Sequence, residues 1–186
     1  MFYQLPPVGN PVSLSATFSS KVDSVVDLTA SASFFIKQVQ FYNSGTSALA
    51  AAICAAKKLK VCSKPEVILP AYGCPDLVSA AVFAGVKPIL VDFEIERPWF
   101  NLSQLANTIT ENTVAIVAVN LFGIAERWAQ LGKLAALHDV ILIEDAAQYF
   151  PGGDEKVEWR GDLVVLSFGR GKPVSLLGGG AVICNN

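Results

Sequence analysis

Short, almost wholly apolar segments alternate with helix-forming segments along this chain of 186 residues, and no other feature constrains its fold as strongly. Strands that are apolar on both faces belong to sheets that helices cover on both sides. The chain therefore predicts an α/β fold, a three-layer αβα arrangement around a mostly parallel sheet. The predicted strands are residues 66–70, 88–92, 114–119, 140–145, 163–167 and 181–184.

Segments between these strands predict four helices, at residues 48–60, 75–84, 102–109 and 125–138. Alanine-rich composition favours the first helix, Gly85 is typical of the end of the second, and Asn101 of the start of the third. Prolines punctuate the beginning of the chain, so residues 1–35 predict an irregular N-terminal arm with a short helix near 22–28. Residues 36–186 predict one α/β domain, and no second domain is expected after it.

Composition argues against several classes of function. The net charge is −2 without a long basic run, so nucleic-acid binding is not expected. The apolar stretches fall far short of the ~20 residues of a membrane helix, and no signal peptide is indicated. Four cysteines without CxxC spacing and one histidine make a metal site unexpected and predict reduced thiols in the cytoplasm. Charged residues make up 16%, against about 25% in average domains, which predicts a face hidden in a homodimer.

Candidate ligand-binding residues lie beyond the carboxyl ends of strands, where open α/β sheets bind ligands. The first group is Ser44-Gly45-Thr46-Ser47, at the start of the first helix. Small residues leave backbone N–H groups open to an anion, the helix dipole favours negative charge, and the hydroxyls add donors. An ordinary helix N-cap is the other interpretation of the same residues.

Two further groups follow buried strands. Asp145 ends one strand, and a carboxylate there needs a hydrogen bond or an opposite charge. Gln148 shares this site if the chain turns helical; alternatively, Asp145 caps the next turn. Lys172 follows Ser167 on a loop whose glycines permit a tight path back to the sheet. An exposed lysine on a glycine-rich loop is the alternative.

An anion pocket, a carboxylate and a lysine together match the needs of pyridoxal 5'-phosphate (PLP). Its phosphate requires donors, its pyridine nitrogen an anionic partner and its aldehyde an amine. Six motifs in order also resemble the DegT/StrS-type sugar aminotransferase family, PLP enzymes whose large domain has the aspartate-aminotransferase fold (fold type I). These motifs are GTSAL from Gly45, VILPAY from Val67, GVKPILVD from Gly85, NLFG from Asn120, EDAAQ from Glu144, and SF from Ser167 with Lys172 and then GGAV from Gly179.

The resemblance implies roles for the matching residues. Lys172 resembles the lysine that holds the cofactor and later moves a proton, and Asp145 resembles the acid that keeps the ring nitrogen protonated. Gln148 resembles the residue in contact with the ring hydroxyl. The family's stacking aromatic ring falls on Tyr72 or, at its usual position, on Cys74. The implied phosphate ligands are Thr46, Ser47 and Ser167, beside Gly45.

The resemblance also implies an activity: transfer of an amino group from an amino acid such as glutamate to a keto-sugar nucleotide or related carbonyl compound. Dehydratase relatives carry histidine in place of Lys172, so the lysine favours transamination. Asn120 and Gly178 depart from the family's usual histidine and glutamate, and the family's small C-terminal domain is not expected here. These departures motivate an alternative, a truncated and catalytically inactive PLP-fold protein that keeps cofactor or partner binding. A Rossmann-type domain is disfavoured because no G-x-G-x-x-G follows the first strand.

Overall fold

A seven-stranded sheet forms the centre of the part of the chain that the computed structural model describes, residues 38–150 and 158–185. Its strands are β1 (Gln38–Tyr42), β2 (Glu66–Pro70), β3 (Lys87–Val91), β4 (Thr113–Val119), β5 (Ile141–Asp145), β6 (Leu163–Ser167) and β7 (Gly180–Cys184). They lie in the order β1-β7-β6-β5-β4-β2-β3. Every neighbouring pair from β3 to β6 is parallel, whereas β7 runs antiparallel to both β6 and β1.

Helices cover both faces of this sheet. They are α1 (Gly45–Leu59), α2 (Asp76–Phe83), α3 (Leu102–Thr108) and α4 (Trp128–Leu137), with a short 3-10 turn at Leu121–Gly123. Successive side chains of a strand point to opposite faces. Val67 accordingly packs in the core formed with α1 and α2, whereas Ile68 packs with Leu105 of α3 and Leu131 of α4. The predicted three-layer αβα fold with a mostly parallel sheet is confirmed.

The small residues of α1 bring that helix close to the sheet. Ala48, Ala52 and Ala56 are fully or almost fully buried and recur on one face at helical spacing. A stripe of methyl groups permits a close approach that larger side chains would prevent. As a result, the first turn of α1 lies directly against the carboxyl end of β6.

The elements differ from the predictions in three main places, the first being the start of α1, which is Gly45 and not residue 48. Strand β1 was not predicted, because five residues of alternating polarity at a sheet edge give a weak signal; Phe41 within it is 67% exposed. The fourth helix begins at Trp128, not at residue 125. There the buried Glu126 carboxylate accepts the N–H of Phe100 at 2.6 Å, and the backbone of Arg127 is not helical.

Other predicted boundaries agree within a few residues. Asn101 accepts the N–H of Gln104 and caps α3, and Gly85 follows α2 with a positive φ of 65°, as its helix-ending role requires. The predicted N-terminal arm at residues 1–35, with its short helix near 22–28, lies outside the described residues. None of the helices in residues 38–150 and 158–185 is long and apolar enough to span a membrane.

Candidate active site

The start of α1 opens onto a cavity of about 270 Å³ at the carboxyl ends of β5 and β6. Ser44 is the N-cap of α1; its Oγ accepts the N–H of Ser47 at 3.0 Å and lies 2.9 Å from the Ser47 Oγ. Gly45 and Thr46 line the cavity, and the first turn of α1 holds no acidic side chain. The N-cap interpretation is therefore correct, and the same turn presents the positive end of the helix dipole to the cavity.

Two glycines allow α1 to begin in contact with the sheet. A Cβ on Gly45 would lie 2.7 Å from both Cβ and Oγ of Ser167, the last residue of β6. A Cβ on Gly180 would lie 2.5 Å from the carbonyl oxygen of Ser44. Contacts this short leave no room for a side chain at either position. The Ser167 hydroxyl is thereby held beside the first turn of α1, and it lines the cavity.

Asp145 contributes a buried carboxylate to this cavity. It is the last residue of β5 and is 6% exposed. Its Oδ1 accepts the N–H of Ala147 at 2.9 Å, as in a capped turn. Within the described residues, its Oδ2 accepts no hydrogen bond. Burial raises the pKa of the Asp145 carboxyl above its ordinary value, opposed by the Ala147 N–H and by the positive charge of Lys172. Asp145 thus caps the turn with Oδ1, and its Oδ2 has no hydrogen-bond partner among the described residues.

Lys172 reaches the cavity because the loop after β6 folds back tightly. The N–H of Lys172 donates to the carbonyl of Gly169 at 3.3 Å, and Gly171 has a positive φ of 77° that favours glycine. The loop is closed by the N–H of Leu176, which donates to the carbonyl of Phe168 at 2.9 Å. The lysine is half-buried and lines the cavity. It is not simply an exposed lysine on a glycine loop.

One cavity therefore receives side chains or backbone from the start of α1, the end of β5 and the segment formed by β6 and its following loop. The predicted site residues that line it are Gly45, Thr46, Asp145, Ser167 and Lys172. Its charged side chains, among the described residues, are Asp76, Asp145 and Lys172. No group of three histidine, cysteine or acidic side chains in residues 38–150 and 158–185 is placed to hold a metal ion.

Three predicted residues do not line this cavity. The Ser47 hydroxyl is engaged with Ser44, and its side chain lies on a neighbouring groove. Gln148 accepts the N–H of Phe122 at 2.6 Å, because residues 146–150 form a turn and not the helix that would carry the amide toward Asp145. Tyr72 is 65% exposed.

Two residues after β2 line the cavity as well. Cys74 occupies the position weighed against Tyr72, and its thiol is exposed. Asp76, the first residue of α2, was not predicted; its Oδ2 accepts the hydroxyl proton of Thr46 at 3.0 Å. The rule that strand carboxyl ends carry function would have found Asp76, because it lies on the first helical turn after a parallel strand.

The two departures from the family pattern have different surroundings. Asn120 is buried behind β5, where its Nδ2 donates to Oε1 of Glu144 at 2.9 Å and its Oδ1 accepts the N–H of Glu126 at 3.4 Å. Burial raises the pKa of Glu126, opposed by N–H donors from Phe100 and Arg127. Asn120 thus belongs to a buried structural network. Gly178 does line the cavity, and a Cβ there would meet open space.

This sheet order, with a helix start, an acid and a lysine meeting at the strand ends, defines the class of α/β proteins built like the large domain of fold type I PLP enzymes. Residues 29–186 match the DegT/DnrJ/EryC1/StrS aminotransferase family. The chain belongs to this family.

Individual relatives agree with the family assignment. The dTDP-4-amino-4,6-dideoxy-D-glucose transaminase of Shigella dysenteriae is 32% identical over 153 residues, 81% of this chain and 40% of that protein. The X-ray structure of an aminotransferase from Psychrobacter cryohalolentis gives a TM-score of 0.71 at 26% identity, covering 81% of this chain and 38% of that one. NtdA from Bacillus subtilis, solved with bound cofactor PMP, gives 0.69 at 26% identity, covering 81% and 34%. The chain spans about two fifths of the length of the curated relatives it matches.

Proposed function

We propose that this chain is the cofactor-binding part of a PLP-dependent aminotransferase. Its reaction transfers an amino group from an amino acid such as glutamate to a keto-sugar nucleotide or a related carbonyl compound. The observation that carries the proposal is the single cavity lined by Lys172, Asp145 and the start of α1. A relative named as a transaminase of a nucleotide sugar supports the substrate class, and a neighbour solved with PMP supports the cofactor.

The cavity residues fit PLP at each of its three polar ends. The first turn of α1 and the Ser167 hydroxyl offer donors to a phosphate. The Oδ2 atom of Asp145 is without a protein partner among the described residues, which suits a protonated ring nitrogen. The amine of Lys172 suits an aldehyde. When bound, PLP supplies an electrophilic carbon and a ring that accepts electrons.

Asp145 is suited to keep a ring nitrogen protonated. Its pKa is raised chiefly by burial, so a bare carboxylate is unfavourable at this position. A cationic partner at Oδ2 relieves that penalty through a charge-assisted hydrogen bond in a site of low polarity. Lys172 would hold the cofactor through its amine, and the same amine would carry a proton to or from the substrate carbon.

A homodimer in the cytoplasm is part of the same proposal. A groove beside the cavity shares Thr46 with it and is also lined by Tyr42, Cys54 and Phe83. Phe83 is 84% exposed, and a second copy seated here would cover it. The four cysteines are free thiols, which fits a reducing compartment. Light scattering that finds a dispersed monomer at high concentration contradicts the dimer.

Absorbance and covalent trapping test the proposal directly. With PLP, the protein should become yellow, and borohydride should fix the cofactor on Lys172, which peptide mass spectrometry locates. Lys172→Ala should abolish both signals. Lys133→Ala, at an exposed lysine of α4, is the matched control and should leave them unchanged. A colourless protein that takes up no PLP rejects the proposal.

The inactive PLP-fold protein is the second candidate. Gly178 favours it, because the family's usual glutamate is absent from a position that lines the cavity. Added glutamate distinguishes the two candidates. An active chain converts bound PLP to the PMP form, with loss of the yellow absorbance, whereas an inactive chain keeps PLP on Lys172 unchanged.

A further inference from the structure

We propose that Asp76 lowers the affinity of this site for the phosphate group of its cofactor by accepting the hydrogen bond of the Thr46 hydroxyl. The inference rests on the proposed function. Thr46 lies in the first turn of α1 and Asp76 begins α2. The Thr46 Oγ1 donates to Oδ2 of Asp76 at 3.0 Å, and both residues line the cavity that contains Lys172.

The hydroxyl of Thr46 cannot serve two anions at once. A threonine hydroxyl carries one proton and otherwise offers only lone pairs. Its bond to the Asp76 carboxylate is charge-assisted and therefore stronger than a neutral one. While that bond is made, the Thr46 hydroxyl presents no donor to a phosphate. The phosphate is left with the backbone N–H groups of α1 and the hydroxyl of Ser167.

The charge of Asp76 acts in the same direction. Of the three charged side chains that line the cavity, Lys172 is required at the aldehyde and Asp145 at the ring nitrogen. Asp76 is then the charge at the phosphate end, and it is negative. As the acidic residue in the first turn of α2, it also offsets the positive end of that helix. Both effects weaken the hold on a phosphate, so Asp76 is a positioning residue for Thr46 and limits cofactor retention.

Binding of PLP and of pyridoxal, its phosphate-free analogue, tests the role of Asp76. Two unit charges about 4 Å apart in water interact by about 1 kcal/mol, and removing one of them beside a phosphate corresponds to about fivefold in affinity. Asp76→Asn and Asp76→Ala should therefore lower the Kd of PLP about fivefold and leave that of pyridoxal unchanged. Glu111→Gln, an exposed acid near the amino end of β4, is the matched control and should change neither Kd.

A double-mutant cycle isolates the hydroxyl. Thr46→Val alone should change the Kd of PLP by less than about twofold, because the wild-type hydroxyl is already engaged by Asp76. In the Asp76→Ala background the same change should cancel part of the gain. If Asp76→Ala weakens α2, as circular dichroism would show, Asp76→Asn carries the test, because asparagine is well tolerated at a helix start.

The outcomes separate this inference from the proposed function. A wild-type chain that takes up no PLP overturns both. A wild-type chain that binds PLP on Lys172, with variants of Asp76 that bind it equally or more weakly, overturns this inference alone. Equal gains for PLP and pyridoxal also overturn it, because the effect would then not act on the phosphate. So does a Thr46→Val loss of the same size in both backgrounds.

Discussion

Two adjacent buried carboxylates at the end of β5 should respond in opposite ways to conversion into amides. Asp145 has one hydrogen bond, from Ala147 at 2.9 Å, among the described residues, and burial raises its pKa. Glu144 is 2% exposed and accepts three hydrogen bonds: from Nδ2 of Asn120 at 2.9 Å and from the backbone N–H groups of Arg160 at 2.7 Å and Gly161 at 3.0 Å. Asp145→Asn removes a charge that has few partners. Glu144→Gln instead places an amide N–H₂ where a carboxylate oxygen accepted hydrogen bonds, so that N–H groups face each other.

The magnitudes follow from these contacts. In Asp145→Asn the amide oxygen keeps the Ala147 bond, and relief of the buried charge leaves a net gain on the order of 1 kcal/mol. For a chain of this length that raises Tm by about 2–4 °C. Glu144→Gln loses a charge-assisted bond and leaves a buried donor unpaired, which lowers stability by about 2 kcal/mol and Tm by about 4–8 °C.

The pH dependence of the Asp145 effect has a defined sign. A raised pKa means that the folded chain binds the Asp145 proton more tightly than the unfolded chain does. Wild-type stability therefore falls as the pH rises from the ordinary aspartate pKa through the raised value. The advantage of Asp145→Asn should grow across that interval and be constant above it.

PLP should reverse the order of stability between wild type and Asp145→Asn. At about 100 times its Kd, PLP adds about 2.7 kcal/mol to the stability of wild type. The neutral amide cannot hold the ring-nitrogen proton, so the variant should gain far less. Thermal melts followed by circular dichroism between pH 4 and about 8 measure the stability of wild type and of Asp145→Asn, each with and without PLP. An Asp145→Asn chain that is less stable than wild type at neutral pH without PLP refutes this reasoning.

Three further predictions concern the cavity and its supports. Cys74, exposed in the cavity, should react with a thiol reagent about tenfold faster than the three half-buried cysteines, and bound PLP should slow it; unchanged labelling with PLP counts against a cofactor beside this thiol. Gly45→Ala should abolish PLP uptake, because its Cβ would lie 2.7 Å from Ser167, whereas Gly132→Ala in α4, with open space around it, should raise stability by about 1 kcal/mol. Lys60→Met should lower stability by about 1 kcal/mol, because the ammonium donates to two carbonyls after α4; an unchanged Tm would contradict that capping role.

Sequence patterns predicted the sheet because its central strands are apolar on both faces. The seven residues of β4 are all buried, so their pattern is unambiguous. Strand β1 lies at an edge and is mostly exposed, so hydrophobic content could not reveal it. The start of α4 was misplaced because the buried carboxylate of Glu126 accepts the N–H of Phe100, which lies in a segment far away in sequence. Periodicity reports a local repeat and carries no information on such long-range bonds.

The site was predictable to the extent that strand ends determine it. Asp145 ends β5 and Lys172 lies on the loop after β6, so their meeting in one cavity follows from the parallel pairing of these strands. The direction in which the Gln148 side chain points depends on whether the residues after Asp145 form a helix or a turn. The EDAAQ motif does not determine which of the two they form. The Thr46–Asp76 bond joins two helix starts thirty positions apart, and only the packing of α1 against α2 brings them together.

The charge balance of the cavity links these residues into one account of cofactor binding. Asp76, Asp145 and Lys172 give it an excess of one negative charge. In the proposed function, that excess would favour a protonated pyridine ring at Asp145 and disfavour a phosphate at the other end of the cavity. Asn120 does not enter this balance, because it is bonded to Glu144 behind the strand. Its departure from the family pattern therefore gives the inactive alternative little support, whereas Asp76, in the role proposed above, would weaken retention of the cofactor.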